Sequence, residues 1–190
     1  RAEALAKRRI GLGITGLADA LIFMGLRYGT AEAARRAGAW MAAIQNAAYA
    51  ASAELAAEKG AFPLFNADAF LASPNVAVLD EAVREAIRVD GIRNGCLTSI
   101  APTGTISLLA GNVSSGIEPV FDFSYSRRLL DRDGSARELM VEDYAHAEFR
   151  RQYGARNHGL GGLLEHGLDA PHLRECALRR LAYGQRLLIG

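Results

Sequence analysis

The sequence predicts a helix-rich α/β fold. Two observations carry that prediction. Apolar residues recur at helical spacing in several separate stretches, and a short, partly β-branched run leads through a Gly/Thr loop into another apolar run. In the first stretch Ile14, Leu17, Ala18, Leu21 and Ile22 share one helix face, and Gly25 closes it. Thr30 then stands as N-cap to a long helix that ends at Gly60. Trp40, Ile44, Ala47, Ala48, Ala51 and Leu55 keep the period there and define the expected buried face. Its many alanines favour helix and permit close packing. Pro63 forbids a continuation, Asn66 caps a short helix through Leu71, and Ser73-Pro74-Asn75 reads as a turn. A further helix is expected from about Leu79 to Val89. Leu79, Val83, Ala86 and Ile87 lie on its inner side, with Glu81, Arg84, Glu85 and Arg88 mostly on the other.

The run from Cys96 to Ala101, bounded by Gly95 and Pro102, reads as a buried strand, which makes Cys96 a core cysteine. Pro102-Thr103-Gly104-Thr105 follows, then the apolar Ile106 to Ala110, giving a strand–loop–helix order. "SYSRRLLD", from Ser124, is a second strand that enters a hairpin turn at "RDGS". The residues from Ala136 to Tyr153 read as a helix whose first residues also fit a strand. From Gly154 a loop-like stretch precedes a helix with Pro171 in its first turn.

Bulk properties exclude several function classes. A chain of 190 residues with half of them hydrophobic suits one domain with a sizeable core. A net charge of +1 gives no footprint for nucleic acid or for a strongly acidic partner. Two cysteines make no disulfide framework and suit a reducing compartment. No apolar run approaches the ~20 residues that a membrane span needs. The opening "RAEALAKRRIG" lacks the apolar stretch of a signal peptide, so a cytoplasmic location is expected. The chain opens at Arg1 rather than at methionine, as a piece of a longer protein would.

The stretch "IAPTGTISLLAGNVSSGIEP", Ile100 to Pro119, carries the chemistry. It holds no lysine, arginine, histidine or cysteine. A helix starting near Gly104 or Thr105 leaves its first backbone N–H groups unpaired, and its dipole favours negative charge there. Gly104 permits close approach of a ligand or a positive φ, and Thr103 and Thr105 add hydroxyls. The loop therefore reads as a phosphate cradle made from main chain, beside the plainer reading of a threonine-capped turn. It lacks the lysine of a P-loop and the spacing of G-x-G-x-x-G.

Other residues invite weaker readings. Glu118, between Gly116 and Pro119, reads as part of a turn. His172 and Cys176 are four apart on the tail helix, but no second pair with zinc spacing accompanies them. The scattered arginines read as a solvated face.

Three segments, in order and spacing, resemble a known family: "RRIGLGITGLADALIFMGLRYGTAEA", "AAEKGAFPLFN" and "AIRVDGIRNGCLTSIAPTGTISLLAGNVSSGIEPVF". They are similar to the C-terminal half of the catalytic barrel of the ribonucleotide reductase large chain. "APTGTIS" and "SSGIEPVF" look most like its adenosylcobalamin-dependent, class II branch. The resemblance covers about Arg8 to Tyr153. It implies that residues 1–153 are a C-terminal portion, a half, of a ten-stranded α/β barrel, with residues 154–190 an unassigned tail. It implies radical reduction of ribonucleoside di- or triphosphates to deoxyribonucleotides. The loop Pro102, Thr103, Gly104, Thr105 and Ile106 would hold the substrate phosphates. Adenosylcobalamin would serve the intact enzyme, with none held by this chain alone. The family's radical cysteine, its proton-handling glutamate and one of its reducing cysteines belong to segments before the matched part. No catalytic residue and no metal ligand are therefore assigned here, and the chain alone is expected to be inactive. Implied partners are the ribonucleotide substrate and the N-terminal half of the barrel, with self-association through exposed barrel edges. No nucleic acid and no membrane are expected. The alternative is a noncatalytic nucleotide- or phosphate-binding piece, or a structural remnant that docks with another chain.

Overall fold

The computed structural model describes residues 1–130 and 134–153. The tail helix, with His172 and Cys176, and the first part of the "RDGS" turn lie outside the described residues. In chain order the elements are α1 (Ala2–Lys7), α2 (Leu17–Phe23), α3 (Ala31–Lys59), α4 (Ala67–Leu71), α5 (Pro74–Ala77), α6 (Glu81–Asp90), α7 (Gly104–Leu109), β1 (Ser124–Leu130), β2 (Ala136–Glu142) and α8 (Tyr144–Tyr153). The chain divides into two compact units. One comprises residues 1–13 and 35–100, the other residues 14–34 and the described residues from 101 on.

The first unit is built around α3 and α6. Tyr49, Ala53, Val76, Leu79, Ile87, Ile92 and Leu97 form its core, with Phe62, Phe65 and Phe70 packed against it. Edge-on aromatic contacts at 5.6 Å join Phe65 to both Phe62 and Phe70. Asn66 caps α4 as its sequence suggests, its Oδ1 accepting from the Ala69 N–H at 2.9 Å. The inward residues of α6 are those that its period picks out: Ile87 is fully buried, and Val83 and Ala86 pack on the core.

The buried face of α3 is not the expected one. Tyr49, Ser52, Ala53 and Ala56 are buried, whereas Ala47, Ala51 and Leu55 are exposed. Alanine occurs on every side of this helix, so apolar period alone does not select a face. The polar Ser52 belongs on the buried side because its Oγ donates to Asn94 Oδ1 at 3.0 Å and its carbonyl accepts from the Arg93 N–H at 3.0 Å.

The expected strand from Cys96 to Ala101 shrinks to a parallel bridge between Leu12 and Thr98. Leu12 N–H donates to Leu97 O at 2.7 Å, and Ser99 N–H donates to Leu12 O at 2.9 Å. Among the described residues this stretch pairs on one side only and for a few residues, too little for a regular ladder. Alternation along the extended backbone buries Leu97 and turns Cys96 outward, so Cys96 is exposed rather than a core residue.

The second unit holds α2, α7, the hairpin and α8. β1 and β2 pair antiparallel from Ser124↔Glu142 to Leu130↔Ala136. They form the regular sheet of the described residues, so the fold is helix-rich with a small antiparallel sheet. α2 begins at Leu17 rather than Ile14 because Gly16 is left-handed, at φ 82°. Leu17, Ala18 and Leu21 are buried, and Phe23 meets Tyr144 edge-on at 6.1 Å.

Candidate functional site

The loop that the sequence singles out sits at the start of α7. Its N-cap, Thr103, is left-handed at φ 53° and ψ 21°. A β-branched residue there is a genuine outlier, and such strain persists only where neighbouring contacts hold it. Those contacts are visible. The Thr103 Oγ1–H donates to Thr15 Oγ1 at 2.9 Å, and the same oxygen accepts from the Gly116 N–H at 2.7 Å. Thr15 Oγ1 in turn donates to Ser114 O at 2.9 Å and lies 2.8 Å from Ser107 Oγ. Ser107, one turn into α7, is 2% exposed; its N–H and its hydroxyl both donate to Thr103 O, at 2.7 and 2.9 Å. Three hydroxyls and one glycine amide thus pin the first turn of α7.

The glycine amide is there because Gly116 has no side chain. At φ 51° a Cβ on it would lie 2.5 Å from Ala101 O, the carbonyl just before the loop. The far end of α7 is held as firmly. Asn112, at φ 61°, donates from Nδ2 to Glu142 O at 2.7 Å and accepts on Oδ1 from Tyr125 O–H at 3.1 Å.

Each expected site residue now has a position. Pro102, Thr105 and Ile106 are exposed, while Thr103 and Gly104 are half-buried. Gly104 does not have positive φ, and a Cβ on it would meet nothing within 4 Å. The N–H groups of Gly104, Thr105 and Ile106 find no acceptor among the described residues, as the first turn of a helix dictates. The Thr103 hydroxyl points into the hydroxyl cluster, so the free donors at the loop are main-chain N–H groups and the Thr105 hydroxyl. Glu118 lies in a turn, with its N–H bonded to Ser115 O at 2.8 Å.

Sequence reasoning missed Thr15, Ser107, Ser114, Asp19 and Asp143. Asp19 and Asp143 are 3% and 4% exposed. Asp19 Oδ2 accepts from the Ser114 N–H at 2.8 Å, and Ser114 Oγ accepts from the N–H groups of Ala18 and Asp19 at 3.1 and 3.3 Å. Asp143 Oδ1 caps α8, accepting from the His146 N–H at 3.1 Å. Burial pushes the Asp19 carboxyl up to about 7, with the Asp143 charge adding to the rise. Burial also raises Asp143. A single acidic residue inside the otherwise apolar "LADALIF" was the available signal for Asp19.

The class this geometry defines is a loop-to-helix turn with outward main-chain donors, braced from beneath by side-chain hydroxyls. Similarity gives the family. The ribonucleotide reductase barrel domain matches residues 1–177, and the chain belongs to that family. It is 43% identical over 129 residues to the vitamin B12-dependent ribonucleoside-diphosphate reductase of Mycobacterium tuberculosis, covering 68% of this chain and 16% of that protein. Identity to the enzyme of the same name from Thermoplasma acidophilum is 38%, over 65% of this chain and 14% of that protein. Subunit alpha of ribonucleoside-diphosphate reductase 1 from Escherichia coli is 31% identical over 75% of this chain and 20% of its own length. The chain thus spans about a fifth or less of each of these relatives.

Proposed function

We propose that this chain is the phosphate-holding portion of a ribonucleoside-diphosphate reductase barrel. The observation that carries the reading is the braced first turn of α7. The N–H groups of Gly104, Thr105 and Ile106 converge there beside an open glycine, in a chain of this family. Such a turn holds an anion through fixed dipoles and needs no basic side chain. Strain at Thr103 is accepted because the loop is rigid before the ligand arrives, which spares the entropy of ordering it on binding. The reaction is reduction of a ribonucleoside diphosphate to its deoxy form, and the names of the relatives support the diphosphate.

Those names also support adenosylcobalamin as the cofactor of the intact enzyme. Among the described residues, the cavity beside Tyr49 and Phe70, about 650 Å³, and the one beside Asn112 and Asp143, about 350 Å³, have the size of sites for ligands smaller than a corrin. What the 190 residues contribute is positioning, and turnover by them alone is not expected. The rest of the barrel is the proposed partner. Ile10, Leu12 and Ile100, around the parallel bridge of the described residues, are 53%, 49% and 65% exposed, as strands awaiting neighbours would leave them.

The test is a titration of the 190-residue chain with cytidine diphosphate, followed by amide NMR. Saturable shifts at Gly104, Thr105 and Ile106, reproduced by pyrophosphate and not by sulfate, are expected. Shifts absent from these three amides, or equal for every anion, would overturn the phosphate reading.

A further inference from the structure

We propose that the cavity of the first unit is a binding site separate from the α7 loop, and that it takes an uncharged planar heterocycle with a lactam edge, an N–H beside a C=O. The cavity measures about 650 Å³, within the ~300–1,000 Å³ of small-molecule sites. Tyr49, Phe62 and Phe70 line it. Their rings tilt against one another, with centroids 6.1 Å apart for Phe62 and Phe70 and 6.5 Å for Tyr49 and Phe70. Such aromatic walls suit a flat ligand with a π face. No acidic, basic or histidine side chain stands among the described residues that line the cavity. A charged ligand would lose water there without gaining a counter-ion.

Tyr49 supplies the polar handle. It is 8% exposed, yet its hydroxyl has no hydrogen-bond partner among the described residues. A buried tyrosine O–H normally finds one, because leaving it unpaired is costly. The oxygen is not sealed within the core either, and the open space that Tyr49 borders is this cavity. Burial pushes the phenol above its ordinary value, so the hydroxyl stays neutral and can both donate and accept.

Two amides on the wall are fixed with one end spare. Gln45 Nε2 donates to Asn75 O at 3.0 Å, which leaves Gln45 Oε1 as an acceptor. Asn66 Oδ1 is spent on capping α4, accepting from the Ala69 N–H at 2.9 Å, which leaves Nδ2 as a donor. A spare acceptor calls for a ligand N–H and a spare donor for a ligand C=O, and the Tyr49 hydroxyl serves either. A lactam edge offers both groups without charge. Both amides are held before a ligand arrives, which spares the entropy of ordering them. Every one of these residues belongs to the first unit, so occupancy of the cavity does not depend on the phosphate loop.

Cys96, also on the cavity wall and exposed, makes occupancy measurable. The 190-residue chain carrying Cys176→Ser is titrated with uracil while alkylation of Cys96 by a maleimide is followed. Uracil should slow that reaction saturably, by about fivefold or more. It should also shift the side-chain amide signals of Gln45 and Asn66 and leave the N–H groups of Gly104, Thr105 and Ile106 unmoved. Orotate, the same ring with a carboxylate, should bind about tenfold more weakly. Tyr49→Phe removes only the spare hydroxyl, so affinity should fall about fivefold while urea stability is unchanged. If that variant does not fold by circular dichroism, Ala69→Leu, at an exposed position on the wall, fills the cavity and should abolish the shifts. Absence of saturable protection, equal protection by orotate, or undiminished binding in the variant that folds would each overturn the site. None of these results bears on the cytidine diphosphate titration of the loop, so the two readings fail separately.

Discussion

Two glycine substitutions separate the proposed binding role of the loop from its stability. Gly104→Ala puts a methyl where nothing lies within 4 Å, on a backbone that is not left-handed. The folded state should accept it, and restricting the unfolded chain should raise stability by about 0.4–1 kcal/mol. In the proposed cradle the same methyl stands where a phosphate oxygen comes up to the N–H groups. Binding of cytidine diphosphate should weaken at least tenfold, about 1.4 kcal/mol. Gly116→Ala is the opposite case. Its Cβ would lie 2.5 Å from Ala101 O on a backbone at φ 51°. The left-handed conformation costs about 1–2 kcal/mol for a residue with a side chain. Displacing a carbonyl to make room adds about 1–3 kcal/mol. A total loss of roughly 2–5 kcal/mol is a large share of the 5–15 kcal/mol typical of a domain. Urea unfolding and calorimetric titration on both variants make the comparison. A Gly104→Ala chain that is as stable as the parent and binds equally well would refute the main-chain cradle. A Gly116→Ala chain of unchanged stability would refute the close packing beneath it.

Two further outcomes follow from burial. Ile87→Ala should lower unfolding stability by about 2–5 kcal/mol, because the side chain is fully enclosed by the first unit's core, whereas Val89→Ala, on an exposed site two residues on, should stay within about 0.5 kcal/mol. With Cys176 replaced by serine, Cys96 should react with a maleimide in the native state nearly as fast as in urea; strong native protection would contradict its exposed position.

Local chemistry explains which parts of this architecture the sequence revealed. Thr30, Asn66, Gly25 and Gly60 act within one turn of themselves, so caps and stops could be read directly, and so could the hairpin around Gly134. The start of α7 was legible for the same reason. Choices that depend on distant packing were not. The inward face of α3 turns on Tyr49 and Ser52 meeting residues some 40 positions away, and an alanine-rich helix carries little pattern to announce it. The strand at Cys96 could not be measured from its own residues, since a ladder is as long as the partner it finds.

The candidate site combines both kinds of information. Its donors are local, set by the order Pro-Thr-Gly-Thr before an apolar run. Its rigidity is not local. Thr15 lies 88 residues before Thr103 and 99 before Ser114, yet one hydroxyl joins both. If the proposed cradle holds, that arrangement explains the absence of charged side chains that made the loop conspicuous. A main-chain anion site works only if its dipoles are fixed beforehand, and small hydroxyls can fix them in a space where a longer side chain would fill the cradle. Ser107 and Thr103 are thus spent on the brace, and the Thr105 hydroxyl and the three N–H groups are what remains for a ligand. The glycines follow the same division. Gly116 is needed beneath the loop for closeness to Ala101, and Gly104 above it for access, so one sequence motif serves a packed side and an open side at once.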